Sequence, residues 1–192
     1  LKEDSNGNIW IATYQNGLWI YNSKTNRFSK IKVSVNESKL SQDTRFIFED
    51  SSNRIWATSG SGIHVFSLTG RHLTTFDYFS KGLFGMHSYA ISEDDNRNIW
   101  VAVNGGGLFK FNENIDDFSK SYFKRFNYYN KSSNDFRNYN IQSLTPDSSG
   151  NLWILCTSGM LIKYNMADNS YESLSEYPSI KDIVIASIIF ET

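Results

Sequence analysis

The chain has one cysteine and two prolines in 192 residues. It also lacks runs of Lys or Arg, histidine pairs at metal-ligand spacing, and apolar stretches long enough to cross a bilayer. Each absence excludes something. A single thiol, Cys156, forms no internal disulfide and leaves the redox compartment unspecified. Set beside Trp153 and Leu155, it reads as a small buried hydrophobe. With 19 basic and 20 acidic residues the net charge is −1, so no phosphate-binding stripe and no nucleic-acid partner are expected. The longest apolar run, Ile183 to Phe190, is strand-sized and well short of the roughly 18 residues that span a membrane. His64, His72 and His87 form no H-x-x-x-H pattern, so no zinc or other metal site is expected. A G-x-S-x-G nucleophile motif is missing too, and neither catalysis nor a cofactor is expected of this piece.

What is plentiful is aromatic: 14 Phe, 11 Tyr and 5 Trp. That is the composition of packed sheet, not of a disordered chain. The aromatics repeat. An acidic turn followed six residues on by Trp recurs at Asp4–Trp10, Asp50–Trp56, Asp94–Trp100 and Asp147–Trp153. The tryptophans are 46, 44 and 53 residues apart, and each is followed by an aromatic that closes a short run: Tyr21, Phe66, Phe111 and Tyr164. A period in the forties with strand-like contents predicts stacked or radial β-units.

The second copy shows the unit. Phe46–Glu49 is β-prone, and Asp50 to Arg54 supplies turn chemistry. Ile55–Thr58 and the alternating Ile63–Phe66 flank Gly60-Ser61-Gly62, and Leu73–Phe76 follows Leu68-Thr69-Gly70. Four short antiparallel strands in about 45 residues match one β-propeller blade. The fold expected is therefore all-β: about four propeller blades of four antiparallel strands, with no helix beyond a turn or so. The units run approximately 1–43, 44–87, 88–140 and 141–182, with 183–192 the first, innermost strand of a further blade. Leu1-Lys2-Glu3-Asp4 aligns with Ile47-Phe48-Glu49-Asp50, and Ile189 to Thr192 reaches the same phase, so a piece cut from a longer array is expected. The four aligned tryptophans should occupy equivalent buried positions between blades, and Trp19, out of register, reads as an exposed aromatic. Gly17, Gly62 and Gly107 should hold positive φ, while Gly159-Met160 in the fourth copy should turn differently.

Apparent chemical motifs have plainer explanations. Asp4-Ser5-Asn6-Gly7-Asn8 looks like the start of a calcium loop, but no distal Glu recurs, so the Asp is read as a turn cap. Gly105-Gly106-Gly107 joins two strands, without a helix N-terminus to hold phosphate. Asp116-Asp117 near a hairpin reads as solvated.

The pattern Asp-x-x-Gly-x-[Ile/Leu]-Trp, then glycines and an aromatic-Asn ending, resembles the regulator-propeller repeat. Asp4 to Thr13, Gly17 to Asn22, Gly106 to Asn112 and Asp147 to Trp153 carry it. The resemblance is to the periplasmic sensor region of hybrid two-component histidine kinases typical of gut Bacteroides-type bacteria. It implies two seven-bladed propellers, a β-sandwich, a membrane helix and cytoplasmic kinase and receiver parts, of which this chain would be a fragment. It also implies an inner-membrane receptor whose propellers face the periplasm, oligosaccharides as the ligand class, control of glycan-utilisation genes, and as partners the rest of the receptor chain and a second copy in a homodimer. A protein-interaction scaffold and a polysaccharide lyase are the alternatives, and the lyase lacks a convergent set of base, cation or metal ligands.

Loop length locates the expected site. The connections Val33 to Arg45, Tyr78 to Tyr89 and Phe126 to Asn140 are long and variable, and they should share one face with the turns at Tyr14-Gln15-Asn16 and Asn104-Gly105. At the entrance of the innermost strands stand Arg45, His87, Tyr89, Asn140 and Gln142, which differ although the frame around them repeats. Together with Tyr14, Asn16 and Asn104 they are expected to ring the mouth of the central channel and bind ligand, since amides, guanidinium and aromatic faces suit sugars.

Overall fold

The computed structural model describes residues 1–32, 43–126 and 140–174. Four sheets of four strands fill them. The first holds β1 (Lys2–Glu3), β2 (Ile9–Thr13), β3 (Gly17–Asn22) and β4 (Arg27–Lys30), the second β5 (Thr44–Glu49), β6 (Arg54–Ser59), β7 (Gly62–Ser67) and β8 (His72–Asp77). The third holds β9 (Ser88–Glu93), β10 (Ile99–Val103), β11 (Gly107–Asn112) and β12 (Tyr122–Arg125), and the fourth β13 (Ile141–Pro146), β14 (Asn151–Cys156), β15 (Leu161–Asn165) and β16 (Tyr171–Ser173). Each sheet is an antiparallel meander in chain order, which is the build of a propeller blade. The one helical turn among the described residues is the 3₁₀ segment Phe118–Lys120, N-capped by Asp117, whose side chain accepts from the Ser119 amide. The Asp117 side chain is open to solvent, as the sequence suggested, and also caps this turn. The expected innermost strand at Ile183–Phe190 lies outside the described residues.

The tryptophans fall on like strands, β2, β6, β10 and β14, and their physical role is double. Each indole Nε1 donates to the turn aspartate of its own blade, at 2.8 Å for Trp10–Asp4, 2.7 Å for Trp56–Asp50, 2.9 Å for Trp100–Asp94 and 2.7 Å for Trp153–Asp147. Each ring of the first three packs onto the following blade. Trp10 meets Phe66 at 6.2 Å between centroids, Trp56 meets Phe111 at 5.0 Å, and Trp100 meets Tyr164 at 6.2 Å. Those three are fully buried, whereas Trp153 is half-buried. Trp19 is not simply exposed. It is half-buried on β3, donates to the Asn16 carbonyl at 3.2 Å, and lies under the Lys30 ammonium.

Blade-on-blade packing also removes the alternation expected of β7. Ile63, His64, Val65 and Phe66 are all buried, because both faces of this inner sheet are covered by neighbours. Gly17, Gly62 and Gly107 hold φ of 74°, 152° and 88°, and the fourth hairpin differs by placing its positive φ, 83°, at Gly159. Among the described residues no helix is long and apolar enough to cross a membrane.

Candidate functional site

The innermost strands β5, β9 and β13 pack side by side, and each is broken at the same place. Thr44 pairs with Ser59 and Phe46 with Thr58, leaving Arg45 without a register partner. Ser88 pairs with Val103 and Ala90 with Ala102, skipping Tyr89. Ile141 pairs with Cys156 and Ser143 with Leu155, skipping Gln142. Three blades therefore carry a β-bulge at one equivalent position, and a bulge re-aims the extra side chain out of the sheet's alternation. The sequence named Arg45, Tyr89 and Gln142 from their distance to the turn aspartate. It gave no sign of the bulge that sets their direction.

Around the first two bulges the side chains meet. Arg45 Nη1 donates to the Tyr89 hydroxyl, and its guanidinium lies 5.1 Å from the Tyr89 ring centroid. On its other side Arg45 Nε donates to Asp43 Oδ2 at 2.8 Å, with Nη2 bonded to the same oxygen. The His87 ring stands 6.4 Å from that of Tyr89. Burial, and then the Arg45 charge, hold the His87 imidazole below its ordinary value despite the opposing pull of Asp43. Tyr14 is 71% exposed in the β2–β3 turn. Several polar atoms are buried here without a hydrogen-bond partner among the described residues, among them Asp43 Oδ1, Thr44 Oγ1, His87 Nδ1 and Ser88 Oγ. Groups left so are exceptions in native proteins and call for a reason.

The remaining expected residues sit on the same face with looser roles. Asn104 bonds through its backbone, donating to the His87 carbonyl at 2.7 Å and accepting from the Met86 amide at 3.1 Å. The Asn140 carbonyl accepts from the Thr157 amide at 2.8 Å. Asn16 is exposed in the β2–β3 turn, its amide donating to Thr13 Oγ1 at 3.1 Å. Gln142 is exposed at its bulge. Of the long connections, residues 33–42 and 127–139 lie outside the described residues, and Tyr78 to His87 is fully described.

That described connection is a rim of exposed apolar side chains: Phe79 at 67%, Phe84 at 50% and Met86 at 65% exposure. Phe79 and Phe84 meet edge to face at 5.2 Å, and Arg125 lies under Phe84 at 5.1 Å. The rim is held by backbone-to-backbone approach that only glycine permits. A Cβ at Gly82 would overlap the Phe123 carbonyl oxygen, and one at Gly106 the Phe84 carbonyl oxygen. Phe79 itself holds φ of 72°, a conformation that a bulky residue rarely adopts.

Sequence reasoning missed Asp43, Thr44 and Ser88. Asp43 was visible as an acid two residues before Arg45, a spacing that puts both on one side of an extended chain. Elsewhere the histidines are structural. His64 bonds Ser59 Oγ and Thr75 Oγ1 at 3.0 Å each, His72 bonds Thr75 at 2.8 Å, and burial pushes His64 down to about 3. Cys156 is buried, and burial pushes its thiol up to about 11.

The four sheets and their order define a β-propeller. Residues 1–15 match the family model described as the two component regulator propeller, which bears out the resemblance of the repeat. Among solved structures, the extracellular domain of the hybrid two component system BT3049 from B. thetaiotaomicron is similar, with TM-score 0.68 and 24% identity over 90% of this chain and 22% of that one. The corresponding domain of BT4673 from the same organism gives 0.66 and 24% over 90% of this chain and 23% of the other. The β-propeller domain of Cps50 (Swd1) from Myceliophteria thermophila gives 0.62 and 9% over 90% and 55%. At these identities the likeness is one of fold. This chain spans less than a quarter of the length of the two-component structures. No protein with a curated description matches.

Proposed function

We propose that this chain is a ligand-recognising part of an extracytoplasmic sensor in a hybrid two-component receptor, that it takes an oligosaccharide at the bulge-lined mouth, and that it performs no catalysis itself. One observation carries the reading: three successive blades spend their shared bulge on three chemically different side chains, Arg45, Tyr89 and Gln142. A bulge needed only for blade curvature would tolerate one residue type throughout. The regulator-propeller match at residues 1–15 and the two-component fold neighbours support the signalling context. Signalling would follow from a population shift: a sugar that binds one arrangement of the receptor dimer more tightly than another biases the kinase, and through it glycan-utilisation genes.

The apolar rim of Phe79, Phe84 and Met86 favours a second reading, a protein-docking face. Calorimetric titration of the intact protein with defined oligosaccharides separates the two. On the sugar reading, Arg45→Ala, Tyr89→Ala and Gln142→Ala each weaken binding by roughly 0.5–3 kcal/mol without changing the unfolding midpoint by more than a few degrees. Wild-type affinity in all three variants would show that this is the wrong face.

A further inference from the structure

The strongest charge at the mouth is already cancelled. Arg45 is the cation of the bulge ring, and Asp43, two residues before it, takes both its Nε and Nη2 on Oδ2. The two side chains are 21% and 19% exposed, so the pair is only partly screened by solvent. Arg45 is thereby held beside the Tyr89 ring, with Nη1 on the Tyr89 hydroxyl, and two of its five N–H donors stay open to a ligand. Burial and the Arg45 charge disfavour protonation of His87. Arg125 stands apart, on the outermost strand of its blade and engaged with the Phe84 and Phe109 rings, about 14 Å of sheet from the innermost strand.

Among the described residues, the Asp43 carboxylate accepts side-chain hydrogen bonds from Arg45 alone. Asp43 Oδ1 is buried with no hydrogen-bond partner among the described residues, as are Thr44 Oγ1 and Ser88 Oγ, in residues 3% and 1% exposed. Holding a half-satisfied carboxylate against a guanidinium is a weak source of stability. What the carboxylate does accomplish is electrostatic: it removes the attraction that a lone Arg at this mouth would exert on a uronate or sulfate, where bidentate pairing would otherwise be strong.

We propose, resting on the sensor reading above, that Asp43 is a specificity-determining residue, which by neutralising and fixing Arg45 makes this mouth selective for neutral saccharides over anionic ones. Hydroxyl groups can use the pinned Arg45, Tyr89 and Gln142 as donors and acceptors without separating the ion pair, whereas a carboxylate or sulfate must compete with Asp43 for Arg45. A like-charge approach at such a site is also repelled.

The test is titration of the intact protein with three probe sets: unmodified hexose and pentose oligosaccharides, oligogalacturonides, and sulfated oligosaccharides. Wild type is expected to bind a member of the neutral set and to reject the other two. The nearly isosteric Asp43→Asn should gain about tenfold or more in affinity for oligogalacturonide, in a salt-sensitive manner, and the double variant Asp43→Asn, Arg45→Gln should lose that gain. If Asp43→Asn does not fold, Asp43→Ser tests the same point, because it too frees Arg45 and should gain affinity for oligogalacturonide. Tighter wild-type binding of an anionic probe, or a charge preference indifferent to Asp43, would overturn this inference while leaving the sensor reading intact. Failure of all three sets to bind would overturn the sensor reading, and the inference with it.

Discussion

At the residue scale the turn aspartate is the most heavily used group in the molecule. Asp50 accepts from the Ser52 amide at 3.0 Å, the Arg54 amide at 2.9 Å, Arg54 Nε at 2.6 Å and the buried Trp56 indole at 2.7 Å. Its replacement leaves a fully buried indole N–H unpaired and the turn uncapped, so Asp50→Ala should cost about 2–4 kcal/mol, read from urea unfolding followed by Trp fluorescence. Asp4 and Asp147 add a pH dependence. Burial raises these carboxyls, but hydrogen bonds from Trp10 and Asn8, and from Trp153 and Asn151, more than offset it and leave both below the ordinary 3.8. A depressed carboxylate contributes stability that is fully present above its unfolded value and is lost as pH falls through its folded value. Stability should therefore hold down to about pH 4 and then drop, and the double variant Asp4→Asn, Asp147→Asn should show a shallower drop in an acid titration of the unfolding free energy.

At the scale of elements, the Tyr78–His87 connection separates scaffold from display. Gly106 of the β10–β11 turn lies so close to the Phe84 carbonyl that a methyl group there must push the connection away. Gly106→Ala should cost about 1–3 kcal/mol, with faster hydrogen exchange confined to residues 78–87 and the blades unaffected. This contact was not legible in the sequence. Gly105-Gly106-Gly107 announced a turn, but the partner that makes Gly106 necessary is twenty-two residues away in chain order. The strands themselves were legible, because Phe46–Glu49 and Ile55–Thr58 carry their own β-propensity and bounding turns, and the observed β5 and β6 extend them by one or two residues. Bulges stayed hidden for the reason that a skipped pairing leaves no compositional mark: Arg45, Tyr89 and Gln142 share no residue type. Their equal distance from the turn aspartates could be counted; the pairing of Asp43 with Arg45 was visible only as a spacing.

Across the whole molecule, blades are fastened at their turns as well as their cores. The Glu49 carboxylate accepts from the Ser5 amide at 3.1 Å, and Glu93 accepts from the Ser51 amide and hydroxyl at 2.6 Å each, so in blades two and three the acid before the turn aspartate reaches back to the preceding blade, whereas Pro146 holds that place in blade four. Blade two adds a further tie. Arg54 replaces the Asn found at that turn position in the other three copies, and it bridges Asp50 to Glu113 of blade three, 2.5 Å from Arg54 Nη1. A double-mutant cycle of Arg54→Ala and Glu113→Ala should give a coupling of about 0.5–1.5 kcal/mol that shrinks at high salt. The repeated bulge has a different kind of consequence. Because three blades offer one side chain each in the same geometric slot, positions 45, 89 and 142 would, on the sensor reading proposed above, act like the dials of a combination lock. Turning one dial would then alter what the mouth accepts without disturbing the strands that hold it, so that chains of this build could diversify their ligands by point substitution while keeping a single frame.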